Sequence, residues 1–135
     1  MFGNRHSKPQ NRIDTLIGAE TRIDGTVNFT GGLRVDGEVN GNVVAVQGKP
    51  STVVLSEHGR IKGEVSATHL ILGGAVDGPV HAVEYLELQS KARVTGDVQY
   101  KSLEIQLGAI VKGRLIHLAE GVSDKVVAFK LNSGE

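Results

Sequence analysis

In residues 86–98, LELQSKARVTGDV, small or aliphatic side chains fall on alternate positions: Leu86, Leu88, Ala92, Val94, Gly96 and Val98. The same alternation returns seventeen residues later in LEIQLGAIVKGRL (103–115), and it stands sixteen residues earlier in LILGGAVDGPV (70–80). Alternation with a period of two is the mark of a β-strand with one buried face.

The repeat has a recognisable core. A pentamer of the form aliphatic-x-Gly-x-aliphatic occurs as IDGTV (23–27), VDGEV (35–39), IKGEV (61–65), VDGPV (76–80), VTGDV (94–98) and VKGRL (111–115). The last five begin 26, 15, 18 and 17 residues apart. The 26 is anomalous: VNGNV (39–43) repeats the pattern inside it, and GKPST (48–52) reads as an insertion at a corner. A strand of ~17 residues is far longer than the usual ~5–6. Each unit therefore bends about twice and yields three short strands.

One such coil cannot bury its own apolar face, but a stack of coils shares one core. The pattern predicts an all-β fold: a single-stranded, right-handed parallel β-helix of about six short triangular coils. The left-handed helix of hexapeptide acyltransferases needs a strict six-residue beat, which this chain lacks. Gly63, Gly78, Gly96 and Gly113 fall on the inward parity, predicting tight corners with positive φ where no side chain fits. Lys62, Glu64, Asp77, Thr95, Asp97, Lys112 and Arg114 beside them are expected to face solvent, as are Tyr85, Tyr100, Gln89 and Gln106.

Composition agrees with this architecture and excludes several others. The 135 residues include 18 glycines, five aromatics and no tryptophan, against a typical glycine share of about 7%. A helical bundle would lose roughly 1 kcal/mol at each interior glycine. The 15 basic and 15 acidic side chains cancel, so the chain has no bulk attraction for nucleic acid, and no nucleic-acid partner is predicted. With no cysteine, disulfides, thiolate zinc sites and a thiol nucleophile are excluded. No apolar run reaches the ~18–20 residues of a membrane span, and no signal-peptide core follows the start. A reduced, cytoplasmic compartment is the expectation.

The ends of a solenoid expose unpaired backbone N–H and C=O groups and an open apolar core. Solenoids normally block this with a polar cap. Here the first coil opens at once with Thr15-Leu16-Ile17, and no amphipathic helix precedes it. The ends are expected to be covered by a tail or by another subunit, with Leu16, Ile17, Leu115 and Leu118 as candidate polymerisation residues.

The segment IDTLIGAETRIDGTVNFTGGLRVDGEVNGNV (13–43), the coils ending in IKGEV, VTGDV and VKGRL, and the short basic start MFGNRHSK together resemble the bactofilins. The resemblance runs from Ile13 to about Leu118. It implies a bacterial cytoskeletal protein whose compact right-handed β-helix polymerises end to end, without nucleotide, into filaments or sheets. It further implies attachment to inner-membrane lipids on the cytoplasmic side, and recruitment of cell-wall or polarity proteins that set cell shape. The family's membrane-targeting element is a Met-Phe followed by basic residues. Met1 and Phe2 match it, Arg5 and Lys8 supply the charge, and Gly3-Asn4 depart from the lysine often found there. Shallow apolar insertion plus cations at about 1 kcal/mol each would make one tail weak and a filament of tails strong. An aromatic late in the chain contributes to polymerisation in the family, and Phe129 is the candidate here.

The expected organisation is a disordered basic tail (1–12), the β-helix (13–118) and a C-terminal tail (119–135) whose alternating Val127, Phe129 and Leu131 suit a partial cap. Chemistry is not expected. The five histidines (6, 58, 69, 81 and 117) occupy different phases of the repeat, so no three-ligand metal site is predicted. No nucleophile elbow, HExxH or P-loop occurs, and GGLRVDG lacks the Lys-Ser/Thr pair of a phosphate cradle. Asp36, Asp77 and Asp97 follow the repeat as outward polar positions, as Glu84, Glu87 and Glu104 do, rather than forming a lyase or hydrolase centre. The reading is a non-enzymatic scaffold without cofactor. The alternative is a monomeric β-helical adaptor that binds a protein through a flat face.

Overall fold

The computed structural model describes residues 12–119. These fold into a parallel β-solenoid of six coils, each with three faces. The first face carries β1 (Thr15–Ile17), β4 (Gly31–Val35), β7 (Ser51–Leu55), the second half of β9 (Val65–Leu72), the second half of β11 (Val80–Leu88), and β14 (Ser102–Ile105). The second face is a six-stranded sheet of β2 (Arg22–Asp24), β5 (Glu38–Asn40), β8 (Arg60–Lys62), β10 (Ala75–Asp77), β12 (Arg93–Thr95) and β15 (Ile110–Lys112). The third face carries β3 (Val27–Phe29), β6 (Val43–Ala45), the first halves of β9 and β11, β13 (Val98–Tyr100) and β16 (Leu115–His117). Every pairing is parallel. Because β9 and β11 run through a corner unbroken, the first and third faces join as one ten-stranded sheet.

The alternating pattern explains the core directly. Identical phases stack into columns of aliphatic side chains. On the first face Leu33, Val53, Leu70 and Leu86 align, and on the second Val39, Ile61, Val76 and Val94. All are essentially inaccessible to water. Burying one such side chain contributes about 1.5–3 kcal/mol, and no single coil achieves it without neighbours above and below.

The corner glycines behave differently from the inward-facing role that parity assigns them. Gly41, Gly63, Gly78, Gly96 and Gly113 have φ between 146° and 157°. A Cβ at Gly63 would fall on the carbonyl of Gly41, and a Cβ at Gly78 on that of Gly63, and so on up the stack. The missing side chain makes room for the preceding coil's backbone, not for the interior.

Three local readings are corrected. VDGEV (35–39) is not a coil pentamer. Val35 ends β4 on the first face, and Val39 on the second face pairs with Ile23 and Ile61. The equivalent pentamer is VNGNV, which shortens the 26-residue gap to 22, and the long turn at residues 46–50 accounts for the rest. GKPST is only half a corner: residues 46–50 make the turn, while Ser51 and Thr52 already belong to β7. Tyr100, expected on an outer face, packs partly buried against the core. It occupies the inward column in which earlier coils carry Ala45, Ala67 and Ala82.

Candidate assembly surface at the solenoid ends

At the C-terminal end, among the described residues, β14, β15 and β16 each pair on one side only, with β11, β12 and β13. Their outer rows of N–H and C=O groups point along the stack axis. The aliphatic columns stop there. Ile105 continues the column of Val35, Leu55, Leu72 and Leu88, which are fully buried, yet it is 46% exposed. Leu115 continues Val43, Val65, Val80 and Val98 and is 45% exposed. Leu103 and Val111 end the other two columns, half-buried. The last coil thus shows water the same inward side chains that every internal coil covers.

Leu107 enlarges this surface. It stands in the turn between β14 and β15 and is 96% exposed. Ser90 holds the corresponding place one coil earlier, since Gln106 N–H donates to Leu88 O just before the turn. Leu107 was missed in sequence reasoning, as were Leu103, Ile105 and Val111. The available signal was a leucine where earlier turns carry Ser90 or Glu57.

The N-terminal end differs. Among the described residues, strands β1, β2 and β3 also pair on one side only, but Ile17 and Phe29 are buried and Ile23 and Val27 half-buried. Asp14 extends the pairing of the first coil with the second: its N–H donates to Gly32 O and its carboxylate accepts from Gly32 N–H, both at 2.8 Å.

Polar contacts fasten the coils near the exposed end. Asp97 accepts from Arg114 N–H and from its guanidinium, both at 3.0 Å, and these bonds hold its carboxyl below the usual carboxylate range. Tyr85 donates to Glu104 at 3.0 Å. Desolvation, then that bond and the two nearby carboxylates, push its phenol up to about 12. Further back, Thr68 fastens the start of β7: its hydroxyl donates to Ser51 O and accepts from Ser51 N–H. His69 lies beside it, with Nδ1 3.1 Å from Thr68 Oγ1. Burial lowers the His69 pKa.

Among the described residues, no group of three or more His, Cys, Asp or Glu is placed to hold a metal ion. None forms a helix long and apolar enough to cross a membrane.

The model of the bactofilin family, described as polymer-forming cytoskeletal, matches residues 15–116, the same span that the six coils occupy. The chain belongs to the bactofilin family. It is similar to bactofilin BacP of Myxococcus xanthus strain DK1622, at 28% identity over 109 residues. That match covers 81% of this chain but 44% of the relative, so this bactofilin spans less than half of that protein's length. It is also similar to bactofilin BacO of the same organism, at 26% identity over 102 residues covering 76% of this chain and 78% of the relative. No solved structure matches it significantly.

The candidate polymerisation residues of this bactofilin are not brought together. Leu115 lies at the open C-terminal end, and Leu118 is half-buried just beyond β16, its N–H donating to Tyr100 O at 2.7 Å. At the opposite end, Ile17 points into the core. Leu16 pairs with Arg34 on the outer side of the first face, away from the stacking surface, because adjacent residues of a strand face opposite ways. Met1, Phe2, Arg5, Lys8 and Phe129 lie outside the described residues.

Proposed function

We propose that this bactofilin is a bacterial cytoskeletal scaffold that assembles without nucleotide through the ends of its solenoid. The observation that carries the reading is the last coil, whose strand edges, unpaired among the described residues, surround Leu103, Ile105, Val111 and Leu115. Covering such a surface with another subunit's terminal coil continues both the backbone ladder and the aliphatic columns. Residues 1–12 bring Met1, Phe2, Arg5 and Lys8 to anionic inner-membrane lipids, where many weak tails act together. The polymer then presents a repeating surface to cell-wall or polarity proteins.

The test is sedimentation of the purified protein across a concentration series, with and without ATP or GTP. The proposal expects pelleting above a threshold concentration, unchanged by nucleotide. A protein that stays monomeric at high concentration contradicts it and favours the monomeric adaptor. Flotation with anionic and neutral vesicles, comparing the full chain with a Phe2→Glu variant, tests the membrane role.

A further inference from the structure

The repeat is least regular at one corner, where the third face meets the first. The chain crosses it from β3 to β4 with Thr30 alone and from β13 to β14 with Lys101 alone, and β9 and β11 run through it without a break. Between β6 and β7 it takes residues 46–50 instead. Two coils on, β11 carries a bulge: Ala82 pairs with Ala67 and Tyr85 with His69, so Val83 and Glu84 stand opposite Thr68 alone. Insertions in a solenoid gather on binding faces, and bulges in a sheet re-aim side chains beside functional sites. Here both departures line one cleft of about 270 Å³. The protruding turn supplies Val46 and Lys49, β9 supplies Ser66 and Thr68, and β11 supplies His81 and Val83.

One half of the cleft is aliphatic, with Val46 47% and Val83 45% exposed. The other half donates hydrogen bonds. Lys49 and His81 are its ionisable residues, and no carboxylate lines it. Among the described residues, Lys49 has no ion-pair partner. Ser51 also lines the cleft and is 1% exposed. Its hydroxyl oxygen accepts from Thr68 N–H at 3.1 Å. Its own proton finds, among the described residues, only Thr68 Oγ1 at 3.5 Å, well beyond the ~2.7–2.8 Å of a good hydroxyl bond. A buried donor left that far from an acceptor is costly unless something else accepts from it.

We infer that this cleft binds an acidic residue with an aliphatic neighbour, presented by a short peptide of a partner protein. This rests on the recruiting role of the proposed scaffold. The carboxylate lies between Lys49 and His81 and accepts from Ser51, while the aliphatic side chain covers Val46 and Val83. The volume sets the kind of ligand. Sites for whole small molecules run to ~300–1,000 Å³, so this one takes roughly a side chain or two of a chain that continues outside it. A free phosphate would meet the donors but leave the two valines wet. One such contact is weak. A polymer repeats it at every subunit, so a clustered partner is held by many contacts at once.

A display library of random hexapeptides, selected on the immobilised full chain, tests this, with Lys49→Glu and Lys112→Glu beside wild type. Lys49 is an exposed turn residue and Lys112 an exposed residue of the second face, so both variants leave the core intact. The inference expects wild type to enrich Asp or Glu next to Val, Leu or Ile. The enriched peptides, synthesised and titrated by fluorescence anisotropy, should bind Lys49→Glu about tenfold more weakly or worse, and Lys112→Glu as tightly as wild type. No enrichment, enriched peptides without an acidic residue, or peptides that bind Lys49→Glu as well as wild type overturn the inference. Sedimentation of the same proteins separates this from assembly, since Lys49→Glu should pellet as wild type does. Wild type that pellets but enriches no acidic peptide overturns the cleft and leaves the scaffold standing. Wild type that enriches acidic peptides through Lys49 but never pellets bears out the cleft and overturns the scaffold.

Discussion

Tyr85 and Glu104 stand on consecutive coils, and the phenol of one donates to the carboxylate of the other across 3.0 Å. Glu87, beside Tyr85 on the same strand, accepts from Gln106 at 3.3 Å. Together they pin the last described coil to the one before it from the outer side of the first face.

That pin titrates in alkali. The Tyr85 phenol is pushed up to about 12, above the ~10 of a free tyrosine. A raised acid favours the protonated folded state, so its contribution is complete below pH 10 and is lost as pH rises from 10 towards 12. The stability difference between wild type and Tyr85→Phe, from urea unfolding, should therefore shrink across that window. A difference that stays constant from pH 9 to 12 would contradict the assignment.

His69 titrates in the opposite range. Burial, opposed by the Glu84 charge and the Ser51 backbone, holds its pKa below the free value of 6.5. The unfolded chain then binds the proton more readily, so stability is full above about pH 6.5 and falls as pH drops below it. Thermal unfolding from pH 7.5 to 5 should show this loss in wild type and a flatter profile in His69→Gln.

The glycine column separates two costs that usually occur together. Gly25 and Gly78 share positive φ, at 132° and 153°, but a Cβ at Gly25 meets nothing within 4 Å, whereas one at Gly78 strikes the Gly63 carbonyl. Gly25→Ala should cost about 1 kcal/mol from backbone conformation alone, and Gly78→Ala about 3 kcal/mol or more, because the coils must also part. Equal costs in denaturant unfolding would place the penalty in φ alone.

The repeat was legible because burial forces it: a column such as Val39, Ile61, Val76 and Val94 survives only if the same phase is aliphatic in every coil. Overlapping pentamers at Val39 were ambiguous, since VDGEV and VNGNV satisfy the same local pattern. Only stacking decides between them: Gly41 lies on Gly25, whereas a Cβ at Gly37 would meet the carbonyls of Gly18 and Thr21 at another corner. The end surface was partly legible. Leu115 follows from being last in its phase, but Ile105 and Leu107 needed the coil count and the turn position.

Leu115 and Val80 test the difference between an internal and a terminal coil. They share one column, yet Val80 is buried and Leu115 is 45% exposed. Val80→Ala should cost about 2 kcal/mol of stability and leave the capacity to assemble. Leu115→Ala should cost under about 1 kcal/mol and raise the concentration at which the protein pellets. The pair is read by urea unfolding of dilute protein and by sedimentation.

The most direct measurement is negative-stain electron microscopy of wild type, Leu115→Arg and Thr95→Arg, without nucleotide. Leu115→Arg places a charge on the open end of the last coil, while Thr95→Arg places one on the outer second face. The account predicts filaments from wild type and Thr95→Arg and dispersed particles from a folded Leu115→Arg. Filaments from Leu115→Arg as long as those of wild type, or uniform small particles from all three, would contradict assembly through the solenoid ends.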